Sequence, residues 1–512
     1  MMAPLARRTV ARELVRVAGA LIACLMLLGA ARSVGAQPAP VAAEARPAAG
    51  RQPHRDVPRP PPSTAALLDV WLKGTGIAAS DVGLVAVPVE GGPALLGHDS
   101  VQPFNPASTM KILTSAAALS ILGPEHRWRT AAYLRGRLED GVLTGDLVLR
   151  GGGDPKLVVE DLAAFVGEMR RAGLREIRGD LVIDDALFDV GRDSVERFDL
   201  DLSQPYNVRP HALLMNFKAT RVIARPGPGG VEIALDPPLA GVQIDNAVRV
   251  VRGPCRHGAA GLVVRDETIF GRPPGIRVSG SYSPSCGEQS SFVSVLSHRD
   301  FVGALFGAVW QAAGGAWSGR ARVEPGAGRG TPWREWVSPR TLSDVVRDIN
   351  KYSNNVMARQ VFLALAAATG DSPATVERSR EVLADWLRAQ QLELPGLFVE
   401  NGSGLSRSER VGAAGLARVL QHAAAGPHAA LLRESLPVVG VDGTMKRRLA
   451  DEPVAGRAWI KTGSLADVRS IAGYVDAASG RRYAVVFIVN GPRAVAAAAA
   501  QDRFLKWVHA NG

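Results

Sequence analysis

The chain has 512 residues, 46% of them hydrophobic and 21% charged, a composition that excludes a mostly disordered protein and allows roughly two to four domains. The formal net charge is +11, but residues 1–62 hold nine arginines against three acids, so most of the excess lies in that segment. The rest is spread too thinly for a nucleic-acid surface, and we expect no nucleic-acid partner.

Residues 1–36 have the features of a secretory signal peptide. Four arginines among the first 16 positions precede an apolar run over residues 17–31, and small residues follow up to Ala36. A basic start, about 15 apolar residues and a small-residue cleavage site are typical of exported proteins. A membrane anchor is the alternative, but a spanning helix needs about 20 apolar residues. We therefore expect cleavage after Ala36, a periplasmic location and no stable membrane span in the mature protein.

The next segment, residues 37–62, contains eight prolines and no apolar period, which is typical of a disordered tether. From Ser63 the pattern becomes globular. The predicted elements are a capped helix over 63–73, a hairpin of strands over 84–89 and 94–97, and a helix from Pro106 to Leu122. Because proline cannot donate to a strand ladder, Pro88 indicates that the first of these strands lies at a sheet edge.

Residues 131–330 differ in character, since short β-rich runs alternate with Gly/Pro turns and one amphipathic helix, Val159–Arg171, interrupts them. The predicted strands are 146–149, 179–183, 221–224, 231–234 and 248–251. Cys255 and Cys286 lie in this block. In an exported chain we expect them to form a disulfide that serves folding, with two buried free thiols as the alternative.

The three cysteines include no CxxC pair and the nine histidines no HExxH motif, so we expect no metal site and no other cofactor. Helices dominate after residue 340. The predicted elements there are helices over 342–351, 354–368, 375–389 and 413–424, strands over 457–461, 470–476 and 482–489, and a helix over 494–509. This order predicts one α/β domain, built from residues 64–130 and 331–512 and interrupted by a long β-rich insertion at 131–330.

The first chemically informative motif is Ser108-Thr-Met-Lys111, which closely follows Pro106. Proline is favoured near a helix start, so we expect Ser108 in the first turn. Residues three apart share a helix face, which brings the Lys111 amine within reach of the Ser108 oxygen. A neutral lysine could remove the serine proton, provided that burial and nearby cations lower its pKa. The alternative is a capped helix with a solvated lysine.

The rarity of lysine strengthens the catalytic interpretation. Of the 60 basic residues eight are lysines, and among these Lys111 alone has a serine three positions before it. Lysine can lose its proton in a protein, whereas arginine cannot. A second lysine begins a Lys-Thr-Gly motif at 461–463 on a predicted strand. Between them, the stretch Tyr-Ser-Asn-Asn at 352–355 supplies a Ser-x-Asn motif at a helix start.

In this order, Ser-x-x-Lys, Ser-x-Asn and Lys-Thr-Gly resemble the motif set of penicillin-binding proteins and serine β-lactamases. The long stretch between Lys111 and Ser353 resembles the insertion of the low-molecular-mass class C penicillin-binding proteins, the peptidase S13 family of D-alanyl-D-alanine carboxypeptidases/endopeptidases. Residues 401–407 and 440–445 match that family as well. The resemblance covers about residues 64–512. It implies a serine β-lactamase/transpeptidase-like α/β (α+β) fold in which the insertion forms one or two extra domains.

The resemblance also implies a function, that of a periplasmic serine-type D-Ala-D-Ala carboxypeptidase with added DD-endopeptidase activity. It implies a role for each motif residue as well. The implied substrates are peptidoglycan stem peptides, and the implied covalent inhibitors are β-lactams. Ser108 would be the nucleophile, Lys111 its base, and Ser353 the proton relay to the leaving D-alanine. Asn355 would bind the substrate amide, Lys461 would supply positive potential, and Thr462 would bind the terminal carboxylate. Gly463 would allow the substrate to approach closely, and the backbone N–H groups of Ser108 and Ser464 would stabilise the oxyanion.

Two alternatives remain for the function and one for the register of the second motif. A β-lactamase-like serine hydrolase or a non-catalytic peptidoglycan-binding protein would carry similar motifs, although no Glu-x-x-x-Asn of the class A β-lactamase type lies between Asn355 and Lys461. Residues 352–355 can also be read as Tyr-x-Asn, which would use Tyr352 and Asn354. Neighbouring side chains at a helix start point about 100° apart, so both pairs cannot face the nucleophile. We expect Ser353 and Asn355 to do so.

Overall fold

The structure is a computed structural model that describes residues 63–191, 198–199, 201, 203–228, 230–255, 261–370 and 373–512. The predicted signal peptide and tether, residues 1–62, lie outside the described residues. Within the described ranges, no helix combines the length and the apolar character needed to cross a membrane.

The secondary structure falls into three successive segments of the chain. The first contains α1 (Thr64–Leu72), β1 (Val82–Pro88), β2 (Leu96–His98), β3 (Pro103–Phe104) and α2 (Met110–Ile121). The second contains β4 (Arg129–Glu139), β5 (Val142–Arg150), α3 (Val159–Arg171), β6 (Glu176–Ile177), β7 (Leu181–Asp184), β8 (Thr220–Gly227), β9 (Gly230–Asp236), β10 (Gln243–Val250), β11 (Leu262–Asp266), β12 (Gly275–Tyr282), β13 (Gln289–Val293), α4 (His298–Ala312), β14 (Ala316–Trp317), β15 (Ala321–Val323) and β16 (Arg334–Val337). The third contains α5 (Leu342–Tyr352), α6 (Asn355–Ala367), α7 (Val376–Ala389), β17 (Val411–Gly412), α8 (Ala413–Ala425), α9 (Ala429–Ser435), β18 (Ala458–Leu465), β19 (Val468–Asp476), β20 (Arg482–Asn490) and α10 (Ala498–Asn511).

A five-stranded antiparallel sheet joins the first and third segments. Its order is β18-β19-β20-β1-β2, so the N-terminal hairpin extends the C-terminal strands. Side chains alternate between the faces of a strand. Val486 and Ile488 of β20 therefore pack with α2, α5, α6 and α8, whereas Val485 and Phe487 pack with α1 and α10. The sheet is covered on both faces, and β18 remains as an edge strand.

Helix α2 runs through the core on one side of this sheet. Ala116, Ala117 and Ala118 are buried in it, and such small side chains allow the close approach of neighbouring helices. The predicted helix from Pro106 to Leu122 is confirmed, but its first turn, Ala107–Thr109, is a 3₁₀ turn and the α-helix begins at Met110. Ala107 has a left-handed φ of 45°, which a regular α-helix does not accommodate.

Residues 129–337, hereafter the inserted region, have a hydrophobic core of their own. A seven-stranded mixed sheet has the order β14-β6-β5-β4-β16, with β7 paired to β5 and β15 paired to β7, and it packs against α3 and α4. Two three-stranded sheets complete the region, β10-β12-β11 and β13-β8-β9. A disulfide with an S–S distance of 2.10 Å joins Cys255 and Cys286 there. The mixed α/β class expected from the sequence is confirmed.

The prediction of a single helix in this region is wrong, because α4 is a second one. Gly303 and Gly307 lie inside α4 and lower its intrinsic helix propensity. They also allow close packing, since a Cβ on Gly303 would lie 2.5 Å from the Cβ of Ala321. The hydroxyl of Ser297 caps the helix by accepting the N–H of Asp300 at 3.1 Å. Packing and capping therefore outweigh propensity here.

The prediction of an edge position for the first strand is also wrong. Strand β1 pairs with β20 on one side and with β2 on the other. The proline is tolerated because only residues 84–86 pair with β2, and Pro88, the last residue of β1, lies beyond that pairing. The sheet of the inserted region extends slightly past the predicted limits of 131 and 330, since β16 pairs with the start of β4. The short helix α9 was not predicted.

Candidate active site

The turn that carries Ser108 is held by several hydrogen bonds. Asn105 Oδ1 accepts the N–H of Ala107 at 2.9 Å, and the hydroxyl of Ser470 donates to the carbonyl of Pro106 at 2.5 Å. Ser108 is half-buried and lies in the 3₁₀ turn that leads into α2. The N-terminus of a helix favours negative charge, so the backbone at Ser108 can stabilise an anion that forms beside it.

Lys111 lies one turn after Ser108 and is fully buried, with 0% of its surface exposed, which excludes the solvated-lysine alternative. Its Nζ is 2.9 Å from Ser108 Oγ and 2.7 Å from Asn355 Oδ1, and it also contacts the carbonyl oxygen of Ser403. Burial holds the pKa of Lys111 well below its ordinary value, and the charge of Lys461 lowers it further. A neutral amine in this position can accept the proton of the serine hydroxyl.

Ser353 and Asn355 stand at the junction of α5 and α6. Ser353 ends α5 with a left-handed φ of 56°, and its Oγ accepts a hydrogen bond from Lys461 Nζ at 2.9 Å. Asn355 is the first residue of α6 and contacts Lys111 through its Oδ1. This junction therefore connects the two buried lysines.

The alternative pair, Tyr352 and Asn354, points elsewhere. Tyr352 is 73% exposed. Asn354 is the N-cap of α6, and its Oδ1 accepts the N–H of Met357 at 3.0 Å. The geometry thus brings Ser353 and Asn355 to the lysines and gives Asn354 a capping contact instead.

The edge strand β18 brings the Lys-Thr-Gly motif to the Ser108 turn. Lys461 has 0% exposure, its Nζ also donates to the carbonyl of Thr462 at 2.7 Å, and burial lowers its pKa to about 7. Gly463 is required by a close approach, because a Cβ there would lie 2.2 Å from Ser470 Oγ and 2.9 Å from the nitrogen of Ser108. The edge of the sheet and the serine turn are therefore in direct contact.

Thr462 and Ser464 lie on the accessible part of this edge. The Thr462 hydroxyl donates to the hydroxyl of Thr444 at 2.8 Å, and Ser464 is exposed. The loop that contains Thr444 is anchored by Asp442, whose carboxylate accepts a hydrogen bond from Lys351 Nζ at 2.6 Å. This part of β18 therefore carries hydroxyl-bearing residues within reach of solvent.

A largely buried loop, residues 400–409, supports Lys111 through the carbonyl of Ser403. Glu409 is fully buried, and its Oε1 accepts the N–H groups of Glu400, Asn401 and Gly402 at 3.3, 3.1 and 3.0 Å. The Thr114 hydroxyl donates to the carbonyl of Gly402 at 2.7 Å. Residues 401–407 belong to the family resemblance, but Glu409 was not predicted, because a single glutamate after that stretch forms no pattern with the other motifs.

Two basic side chains and one acidic side chain act on the pKa of Lys111. Lys461 and Arg359 lower its pKa, and Glu409 raises it. Arg359 is 2% exposed, and burial lowers its own pKa to about 10. Burial raises the pKa of Glu409. A serine hydroxyl beside an amine that is desolvated and surrounded by cations is a suitable nucleophile and base for acyl transfer.

Comparisons with known proteins identify the family of the chain. A model of the D-Ala-D-Ala carboxypeptidase 3 (S13) family matches residues 64–510. The chain is 28% identical over 463 residues to a D-alanyl-D-alanine carboxypeptidase of Actinomadura sp. (strain R39), which covers 85% of this chain and 82% of that protein. It is 25% identical over 417 residues to the D-alanyl-D-alanine carboxypeptidase DacB of Haemophilus influenzae, with 80% and 86% of the two chains covered.

The fold is similar to that of a solved structure. The crystal structure of penicillin binding protein 4 from Haemophilus influenzae superposes with a TM-score of 0.75 at 23% sequence identity, and the match covers 87% of this chain and 99% of that one. The same protein complexed with a β-lactam gives a TM-score of 0.70. Because the family model spans nearly all of the described residues, the chain belongs to the D-Ala-D-Ala carboxypeptidase 3 (S13) family, whose members are DD-peptidases.

Proposed function

We propose that this DD-peptidase works in the periplasm through a Ser108 acyl-enzyme, and that it hydrolyses both terminal D-Ala-D-Ala bonds and peptide cross-links of peptidoglycan. The observation that carries the proposal is the buried Lys111 amine 2.9 Å from Ser108 Oγ. Its lowered pKa favours the neutral amine that a base must supply, a form that the chain's abundant arginines do not adopt.

In the acylation step, Ser108 Oγ attacks the carbonyl carbon of the penultimate D-alanine while its proton passes to Lys111 Nζ. The backbone N–H groups of Ser108 and Ser464 donate to the oxyanion that forms. Such preorganised donors typically contribute several kcal/mol to transition-state stabilisation. The contact between Gly463 and the Ser108 nitrogen supports this assignment, since it brings the two stretches of backbone together.

The leaving group then takes up a proton as the peptide bond breaks. Ser353 can relay this proton, because its Oγ is 2.9 Å from Lys461 Nζ and it adjoins Asn355, which contacts Lys111. The proton that Lys111 took from Ser108 is the one passed on, so D-alanine leaves as a free amine, Lys111 is neutral again, and an ester links Ser108 to the remaining peptide. Water hydrolyses the ester, with Lys111 again as base, and the serine hydroxyl is regenerated.

Substrate binding follows from the exposed edge of β18. An extended peptide can add to this edge as a further strand, with main-chain hydrogen bonds along 462–464. The terminal carboxylate would bind the hydroxyl of Thr462 in the positive potential of Lys461. In a cross-linked substrate a larger amine replaces free D-alanine as the leaving group, and the bond that breaks is the same.

Purified peptidoglycan fragments test the proposal. The mature protein should release D-alanine from linear pentapeptide muropeptides and should split cross-linked dimers, whereas the Ser108→Ala variant should do neither. Release of D-alanine without cleavage of dimers would remove the endopeptidase part. Full activity of Ser108→Ala on both would overturn the acyl-enzyme assignment.

The periplasmic location needs its own test. Cell fractionation should recover the protein, with its N-terminus at residue 37, in the periplasmic fraction. Recovery of the uncleaved chain in the cytoplasm would contradict the proposed export.

A further inference from the structure

The inserted region holds a cluster of three potential metal ligands far from the motifs of the active site in the sequence. Asp185 directly follows β7, His211 lies in the connection to β8, and His298 is the first residue of α4. One ligand atom from each side chain lies within 4.8 Å of the other two. The Oδ2 atom of Asp185 is 2.7 Å from His211 Nδ1 and 3.9 Å from His298 Nε2.

His298 is the unusual member of this cluster. Its side chain is only 9% exposed, yet neither ring nitrogen has a hydrogen-bond partner among the described residues. Buried polar atoms are almost always paired, and an exception calls for a bound water, an ion or a chemical role. Burial lowers the pKa of His298. An imidazole with an unpaired ring nitrogen is a common metal ligand in proteins.

The other two side chains are held in place. Asp185 Oδ1 accepts the N–H of Leu213 at 2.8 Å. The backbone of His211 is clamped by Gln360 of α6, whose Oε1 accepts the His211 N–H at 3.1 Å and whose Nε2 donates to the His211 carbonyl at 2.9 Å. Such outer contacts orient ligands and support metal affinity.

We propose that Asp185, His211 and His298 bind one divalent transition-metal ion, with zinc as the best match. Two imidazoles and one carboxylate are a ligand set that zinc uses, and its ligand atoms, bound at about 2.0–2.1 Å, lie about 3.3 Å apart. The present separations of 2.7 and 3.9 Å bracket that value. The two rings are stacked in parallel with centroids 3.6 Å apart, so binding requires one ring to tilt until both lone pairs meet the ion.

The ion would stabilise the inserted region by joining the end of β7, the His211 loop and the start of α4. Lys218 opposes the ion, because its charge already acts on His298. Burial lowers the pKa of Lys218 to about 8, so it remains mostly charged at neutral pH. Removal of this charge should strengthen binding.

Calorimetric titration of the chelator-treated mature protein with zinc chloride tests the proposal. We expect one equivalent to bind and the midpoint of thermal unfolding to rise by at least about 3 °C at saturation. His298→Asn should weaken binding by at least about 100-fold, since one of three ligands is lost. Asp185→Asn, which keeps an oxygen for the Leu213 N–H, should do the same. Lys218→Met should bind several-fold more tightly.

His98→Asn is the matched control, because His98 also lies beside a carboxylate, 3.7 Å from Asp99, but belongs to no group of three possible metal ligands among the described residues. This variant should bind zinc as the unaltered protein does. Absence of zinc binding would overturn the proposal, as would one-equivalent binding that survives in both His298→Asn and Asp185→Asn. Should both variants fail to fold, a zinc-soaked crystal decides, because an anomalous peak away from these three side chains would also overturn it.

Discussion

The active site and the Asp185 cluster both bury polar side chains, but they differ in how those side chains are paired. Lys111 contacts three oxygen atoms and Lys461 contacts two, so each buried amine is held without any added group. In the cluster, His298 has no such partner among the described residues. The first arrangement needs no further group for the proton transfer that we propose. The second leaves the ring nitrogens of His298 without partners among the described residues, and there we propose a metal ion.

The largest expected effect comes from changing the base. Lys111→Arg keeps the positive charge but removes the ability to lose a proton, so acylation by labelled penicillin should fall by about 10³-fold or more. Stopped-flow or gel-based labelling measures this rate. The control is Lys446→Arg, at an exposed lysine, which should not change it. Retention of more than about a tenth of the rate in Lys111→Arg would defeat the assignment of Lys111 as the base.

The next largest effect on the acylation rate is expected from substitutions that distinguish the two readings of residues 352–355. Ser353→Ala removes the hydroxyl beside Lys461 and should slow acylation about 100-fold, as expected for a lost proton relay. Tyr352→Phe changes a side chain that is 73% exposed and should have little effect. The opposite ranking of these two rates would show that Tyr352 and Asn354 form the working pair.

A smaller effect, with a distinctive pH dependence, is expected at Glu409. Its negative charge raises the pKa of Lys111, so Glu409→Gln should lower that pKa and move the acid limb of the acylation profile to lower pH. The plateau rate should fall about tenfold, because a neutral amide holds the three N–H groups of residues 400–402 less strongly.

Thr114→Ala is the matched control for Glu409→Gln. It removes the hydrogen bond to the Gly402 carbonyl without changing any charge. The rate should fall while the acid limb stays where it is. An acid limb that moves in both variants, or in neither, would mean that Glu409 acts only by holding the loop.

The smallest effect on acylation is expected for the disulfide of the inserted region. Cys255→Ser combined with Cys286→Ser opens a link between residues 31 positions apart, which should lower the free energy of unfolding by about 3 kcal/mol. Penicillin acylation at low temperature should not change. Denaturant unfolding and labelling of the same samples measure both quantities, and a parallel loss of acylation would show that the inserted region controls the active site.

The residues proposed for the active site from the sequence lie together in the structure, whereas a helix of the inserted region was missed, and the difference has a physical reason. Ser108 and Lys111 are three positions apart, and helical geometry alone brings such residues together. The other motifs are short, but their order along the chain resembles that of a known family, and this order indicated which residues to expect in the site. Glu409 and Arg359 act through burial, a property that no short pattern reports.

In the inserted region, tertiary contacts determine which segments form helices. The glycines of α4 lower the helix propensity of its sequence, and the close contact of Gly303 with Ala321 is visible only in the folded structure. The proposed metal ligands were likewise hidden, because His211 is 26 positions from Asp185 and His298 lies in a different element. We expected no metal site because the sequence lacks motifs with closely spaced ligands. Ligands that are far apart in the sequence and meet only on folding form no such motif.

The central claim, that Ser108 forms the acyl-enzyme, is tested most directly by intact-protein mass spectrometry after incubation with benzylpenicillin. We predict a stable adduct of one penicillin per chain, found after digestion on the peptide that contains Ser108, and no adduct on the folded Ser108→Ala variant. Rapid loss of the adduct with release of hydrolysed penicillin would indicate a β-lactamase instead. An adduct that persists in Ser108→Ala, or no adduct on the folded unaltered protein, would contradict the account.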